Sequence, residues 1–276
     1  MSDPTTANQV LARSTDGGVT WTITAPTLSV SNAETAVLGI DVEGGEGAGS
    51  TMSYMLAGAF RAANDDATVF VSMDGGATWG SAIEVATGSG YDGTWEVMYL
   101  SGTGATSVWL AFLYDSTATL GPRVYKSTDG GATWAAQSAA FAVADGSFQG
   151  VFQTASGAIL VGTTDAGKIY RSTDDGATWT MVQSLAATYA AEVKARRFHQ
   201  LSSGTIYCAG QNAGYIWESI DDGLTWRRVQ RLARACAPIA MTGDDHVLLI
   251  GGGQGYITST GGRAEVFRSR ISYWGD

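Results

Sequence analysis

The chain has 276 residues, with 37 Gly, 4 Pro, 10% aromatic and only 15% charged residues. That composition favours many short strands joined by tight turns over helices. A net charge of −10 opposes binding to a phosphate backbone, and no apolar run reaches membrane-spanning length. The opening Met-Ser-Asp-Pro-Thr-Thr lacks the basic and apolar stretches of a secretory signal, so none is expected. Cys208 and Cys236 lack metal spacing and there are only two His, so the expectation is two buried thiols, no metal and no cofactor.

Taken in order, the chain repeats one octapeptide five times. Ser14-Thr15-Asp16-Gly17-Gly18-Val19-Thr20-Trp21 recurs at 72–79, 127–134, 172–179 and 219–226, always as Ser-x-Asp-x-Gly-x-Thr-Trp. Strand-like runs flank each copy, such as Lys168-Ile-Tyr-Arg-Ser before Asp174 and Thr178-Trp-Thr-Met-Val after it, so each copy reads as a hairpin turn. The Asp carboxylate accepts the following backbone N–H groups, Gly supplies positive φ, and Thr-Trp opens the next strand. Asp16, Asp74, Asp129, Asp174 and Asp221, with Trp21, Trp79, Trp134, Trp179 and Trp226, therefore read as fold staples and not as catalytic or metal-binding groups.

Successive box tryptophans lie 58, 55, 45 and 47 residues apart, and Trp274 follows after 48. A period of that size holds four short strands. The first copy has only an outer hairpin, 9–24, with no room for two inner strands before it. Four-stranded units are expected over 36–85, 94–138, 148–183, 191–230 and, with a degenerate last turn, 232–276. The architecture is all-β: a single domain over 1–276 with five full four-stranded blades and an N-terminal half blade. The unpaired edge of a half blade invites association, so other subunits, of the same or another chain, are the expected partners.

The octapeptide resembles the Asp box, or BNR repeat, of sialidase-like β-propellers. Three second strands, at 159–170, 206–217 and 248–257, share a Gly-rich phrase that is similar to that of photosystem assembly-factor propellers and luminal sortilin-type propellers. In such a propeller the box hairpins lie on one face, and the loops that meet a ligand lie on the other. By this strand reading those loops carry Arg61, Tyr91, Asp92, Tyr114, Arg123, Gln211, Asn212 and Tyr256, a mixture of aromatic, amide and charged groups suited to a sugar. They also carry Asp65, Asp66, Asp115 and Asp165, which would have to supply a carboxylate pair if the protein were a glycosidase.

The sialidase resemblance implies three arginines around the substrate carboxylate, the first in a Phe/Tyr-Arg-Ile-Pro motif. That motif is absent, so no enzyme is expected, and glycoside hydrolysis is the alternative. Charge is uneven: residues 1–115 carry a net −11 and 116–276 a net +1. Arg196, Arg197, Arg227, Arg228, Arg231 and Arg234 cluster, which reads either as a solvated outer strand with its neighbour or as a docking patch for an acidic partner or another copy's acidic first half. The resemblance to isolated phage propellers implies a non-catalytic virion or extracellular-surface component that binds host glycans, without nucleic acid or membrane insertion. An assembly factor like the photosystem propellers is the third reading.

Overall fold

The structure is a computed structural model that describes residues 11–24, 34–43, 55–61, 67–86, 90–91, 93–115, 120–137, 141–165, 167–188, 194–211, 213–232, 237–243, 247–253 and 264–270. For 34–38, 55, 57, 59–61, 114, 186, 188, 237–240, 247–249, 251–253 and 264–270 only the backbone is described. The chain falls into two compact units, 1–143 and 144–276.

In the first unit, β1 (Leu11–Arg13) and β2 (Thr22–Thr24) form a two-stranded hairpin around the first octapeptide. Next come β3 (Glu34–Val42), β4 (Met55–Arg61), β5 (Ala67–Ser72) and β6 (Ile83–Ala86), then β7 (Gly93–Ser101), β8 (Val108–Tyr114), β9 (Arg123–Ser127) and β10 (Ala135–Ala136). Each set of four pairs antiparallel in chain order. One further pair, Phe60 with Gly93, joins the two sets. The second unit holds β11 (Phe148–Gln153), β12 (Ile159–Thr163), β13 (Lys168–Ser172) and β14 (Thr180–Ser184), one four-stranded sheet. A single helical turn, Leu185–Thr188, leads to β15 (Lys194–Gln200), β16 (Ile206–Gln211), β17 (Tyr215–Ser219) and β18 (Arg227–Arg231), another four-stranded sheet. The last three strands, β19 (Ala237–Gly243), β20 (Val247–Gly253) and β21 (Ala264–Arg270), pair in order. The expected fourth strand at 271–274, and Trp274 with it, lie outside the described residues.

The all-β expectation is therefore borne out, and so are the four-stranded units expected over 36–85, 94–138, 148–183 and 191–230. The short helix 185–188 was not anticipated. The outer strands are also shorter than expected: β6 begins at Ile83, because Gly80 first bonds back to Val71 O (2.9 Å) and delays the pairing.

Strands β5, β12 and β16, and most of β8, β13 and β17, are buried on both faces. Leu56, Val69, Val71, Trp109, Ala111 and Leu113 form one core in the first unit. Leu160, Ile169, Phe198, Ile206, Cys208, Trp217 and Trp226 form another in the second. Apolar packing between neighbouring sheets, not local propensity, holds these sheets together.

The octapeptide turn has one geometry in every copy. The Ser hydroxyl donates to the Asp carboxylate at 2.8–2.9 Å, and the Asp accepts the Thr backbone N–H at 2.8–2.9 Å. The Thr hydroxyl donates to its other oxygen. The fourth and fifth positions both take positive φ, with Asp175 (55°) and Asp222 (59°) as the only non-glycines so placed among the described residues. At the fifth position glycine is needed for space as well: a Cβ on Gly131 would sit 2.8 Å from Leu56, and one on Gly223 2.7 Å from Leu160. The indole N–H of Trp21, Trp134, Trp179 and Trp226 closes the turn on the fifth carbonyl, whereas the buried Trp79 Nε1 has no acceptor.

These bonds hold Asp16 and Asp74 at about 2, the Thr hydroxyl contributing most. In Asp129, Asp174 and Asp221 burial pushes the other way, yet the Thr and Ser bonds prevail and the carboxyls lie below their ordinary value.

An arginine just before the octapeptide Ser latches one hairpin to the next. Arg13 Nε donates to Gly75 O at 2.6 Å, and Arg171 Nε donates to Asp222 O at 2.9 Å while its Nη2 meets the Asp222 carboxylate. Both target the fourth position of the following turn. Glu218 occupies the same position but pairs within its own sheet with Arg227.

Candidate functional site

The loop residues nominated from sequence do not all present themselves. Tyr91 is buried, at 4% exposure; its hydroxyl donates to Gly121 O at 3.1 Å and also meets the Arg123 side chain. Burial, only partly offset by Arg123, pushes the Tyr91 hydroxyl above its ordinary pKa. A buried phenol finds an internal acceptor because an unmade bond there is costly. Asp115, likewise buried, accepts Leu120 N at 2.7 Å and ties its own loop together. Tyr114 ends β8, and Arg61 ends β4, with only their backbones described. Asp92, Asn212, Tyr256, Asp65, Asp66 and Arg234 lie outside the described residues, as does Cys236; Cys208 is fully buried. Asp165 is exposed.

The arginines fare differently. Arg196 and Arg197 sit on the first strand, β15, and Arg227, Arg228 and Arg231 on the last strand, β18, of the same sheet. Arg196 Nη1 donates to Gln211 Oε1 (2.6 Å) and Gln149 Oε1 (3.1 Å), so a nominated loop residue and a nominated docking residue meet at one point. Arg197 Nη1 donates to the Gln149 and Arg196 carbonyls. On β18 every residue is exposed. Arg228 and Arg231 stand over the Tyr215 ring at 4.8 and 5.5 Å, which fixes two guanidinium planes against an aromatic face. Arg231 also reaches Ala213 O, and Arg227, 71% exposed, pairs with Glu218.

Two features escaped the sequence reading. Gln149 gave no signal, since a lone Gln in an apolar strand looks like an edge residue. Asp145 is fully buried, paired with Lys168 and accepting the Tyr170 hydroxyl at 2.6 Å. Burial first, then Asp145, raises the Tyr170 hydroxyl well above its usual range. That triad joins a loop to β13 and acts as a structural anchor. Among the described residues no group of three or more His, Cys, Asp or Glu could hold a metal, and no helix is long and apolar enough to cross a membrane.

Sheets of four antiparallel strands in chain order, repeated and packed face to face, define a β-propeller, and solved structures agree. No family model matches the chain, and no curated protein matches it. The chain is similar in fold to YCF48 bound to D1 peptide, with TM-score 0.59 and 16% identity over 90% of this chain and 71% of that one. It is similar to the GH74 xyloglucanase of Xanthomonas campestris, with TM-score 0.58 and 20% identity over 86% of this chain. The chain spans only 37% of that enzyme. A third likeness is to a catalytically inactive virginiamycin B lyase from Staphylococcus aureus with quinupristin, with TM-score 0.55 and 15% identity over 88% of this chain and 73% of that one. Identities this low speak to fold alone.

Proposed function

We propose that the chain is a non-catalytic interaction protein: an Asp-box propeller that serves as a rigid platform in a larger assembly, a virion included, and docks an acidic segment of a partner protein. One observation carries this. Five arginines lie on a single four-stranded sheet of a chain with net charge −10, and on its exposed last strand Arg228 and Arg231 stand over the Tyr215 ring. An aromatic face steadies a guanidinium without cancelling its charge, which is what recognition of carboxylates requires. The likeness to YCF48 bound to D1 peptide lends the reading a precedent in the same fold.

The xyloglucanase likeness supports the alternative of a glycoside hydrolase. That chemistry needs two carboxylates facing a sugar, and Asp115, one of those nominated, is instead buried and engaged with Leu120. The test is capture of blocked peptides bearing several Asp and Glu by the wild-type protein and by Arg227→Glu/Arg228→Glu/Arg231→Glu. Capture that weakens with salt and drops about tenfold or more in the triple variant is expected, since each lost contact counts for roughly a kcal/mol. Equal capture by both proteins would overturn the assignment of this sheet.

A further inference from the structure

Two of the four-stranded sheets share one backbone pattern and differ in what it carries. Their last strands break register at the same point, β14 opposite Ile169 and Tyr170 and β18 opposite Ile216 and Trp217, so that Val182 and Val229 are extra residues. Side chains alternate along a regular strand, but an extra residue shifts the alternation and brings positions three apart onto one face. In β18 those positions are Arg228, opposite Trp217, and Arg231, opposite Tyr215. In β14 they are Met181, opposite Tyr170, and Ser184, opposite Lys168. The same bulge is thus built without an arginine at either position and with a lysine in place of Tyr215. The group Tyr215, Arg228 and Arg231 is not a demand of the fold.

That group holds one guanidinium ready for an anion. Arg231 Nε donates to Ala213 O at 3.2 Å, and the guanidinium stands 5.5 Å from the centre of the Tyr215 ring. The carbonyl fixes one edge of the guanidinium and the ring supports its face. Arg231 is exposed, and among the described residues its Nη1 and Nη2 have no hydrogen-bond partner. Arg228 stands over the same ring at 4.8 Å and adds its positive charge beside that fork. Arg227 differs, because its Nε and Nη2 both go to the Glu218 carboxylate. Arg227 and Arg231 are therefore not equivalent: one is engaged by a carboxylate of its own sheet, and the other keeps its fork.

We infer that Arg231, steadied by Ala213 O and the Tyr215 ring, takes a side-chain carboxylate of the partner segment through its paired Nη groups. This rests on the protein-docking reading above and gives it an anchor point. A planar fork matches the two oxygens of a carboxylate, and a guanidinium already held in place loses little entropy on binding. Arg228 raises the positive potential around the incoming group. Tyr215 acts as a positioning residue, since it touches the guanidinium and not the ligand.

The probe is an array of end-blocked dodecapeptides carrying no, one or two Asp or Glu residues, with glucuronate oligosaccharides spotted beside them. Wild type should favour the carboxylate-bearing peptides. Arg231→Lys keeps the charge and loses the fork, so it should weaken that preference about fivefold or more while leaving its salt dependence and the Tm unchanged. Tyr215→Leu keeps every charge but removes the support, and should weaken it about threefold. Tyr215→Phe, which restores the ring, should recover most of that loss, whereas a disturbed sheet would show as a lowered Tm in both Tyr215 variants. Carboxylate-bearing peptides held equally by wild type and R231K would overturn the inference and leave the platform reading standing. Glucuronate bound in place of peptide would also overturn it. If no carboxylate-bearing peptide binds wild type, the platform reading and this inference both fall.

Discussion

Arg171→Met removes the latch between two neighbouring turns while keeping the aliphatic stem that packs beneath it. Two bonds vanish: Nε to Asp222 O at 2.9 Å, and Nη2 to the Asp222 carboxylate. The pair is only partly solvated, its side chains 15% and 30% exposed. A hydrogen bond to a charged group contributes about 1.5–3 kcal/mol when buried, and solvent reduces that; for both bonds together a net loss of about 2 kcal/mol is expected. In a chain of this size that lowers Tm by about 4–8 °C. The pH dependence gives a second handle. Burial raises the Asp222 carboxyl, but Ser156 and Arg171 outweigh it and the folded-state value is depressed. The stabilisation is therefore complete above the unfolded-state value near pH 4 and is lost as pH falls through the folded one. Thermal melts of wild type and R171M should thus draw closer as pH falls from 7 to 3, the carbonyl bond alone accounting for what remains. A Tm difference below about 1 °C at pH 7 would refute the latch, since it would correspond to a few tenths of a kcal/mol; a difference that stays constant to pH 3 would refute its electrostatic part.

Further outcomes follow from the same geometry. Trp226 is buried and packs edge-on against Phe198 with ring centroids 5.9 Å apart, so Trp226→Ala should cost about 3–5 kcal/mol in a denaturant titration. Trp21, its counterpart in the N-terminal hairpin, is 63% exposed, and Trp21→Ala should cost far less; equal losses would show that the first hairpin is packed like the rest. The Asp74 carboxyl, held at about 2 mainly by the Thr78 hydroxyl, should stay ionised on an NMR titration down to pH 3, and Thr78→Val should move its midpoint upward. Tyr170, buried and bonded to Asp145, should give no tyrosinate absorbance at pH 11 while the protein stays folded. Cys208, fully buried, should react with a thiol reagent only on unfolding.

The turns were legible in the sequence because each of their identities performs one local task. Asp16 and its four counterparts accept bonds from residues no more than four positions away, and Gly176 or Gly223 supplies a φ that other residues resist. Strand order followed from the turns, since a hairpin every 45 to 58 residues leaves room for little beyond four short strands. The arginine sheet was legible as a cluster of charge. What could not be read were interactions whose partner lies on another sheet: Arg13 reaches a carbonyl 62 residues away and Arg171 one 51 away, and a carbonyl acceptor leaves no mark in the sequence. Gln149 was missed for a related reason. Its importance comes from the bulge that re-aims it, and a two-against-one register exists only once β11 and β12 have paired. Tyr91 looked like a ligand-facing aromatic because loop position alone does not reveal that Gly121 O lies within its reach.

The most direct test of the central claim is native mass spectrometry of the protein incubated with a glycan panel, xyloglucan oligosaccharides included, together with acidic peptides. An interaction propeller should carry peptide adducts and leave every glycan at its starting mass. Shortened glycans in the wild-type sample, with no peptide retained, would contradict the account and make the protein a glycosidase.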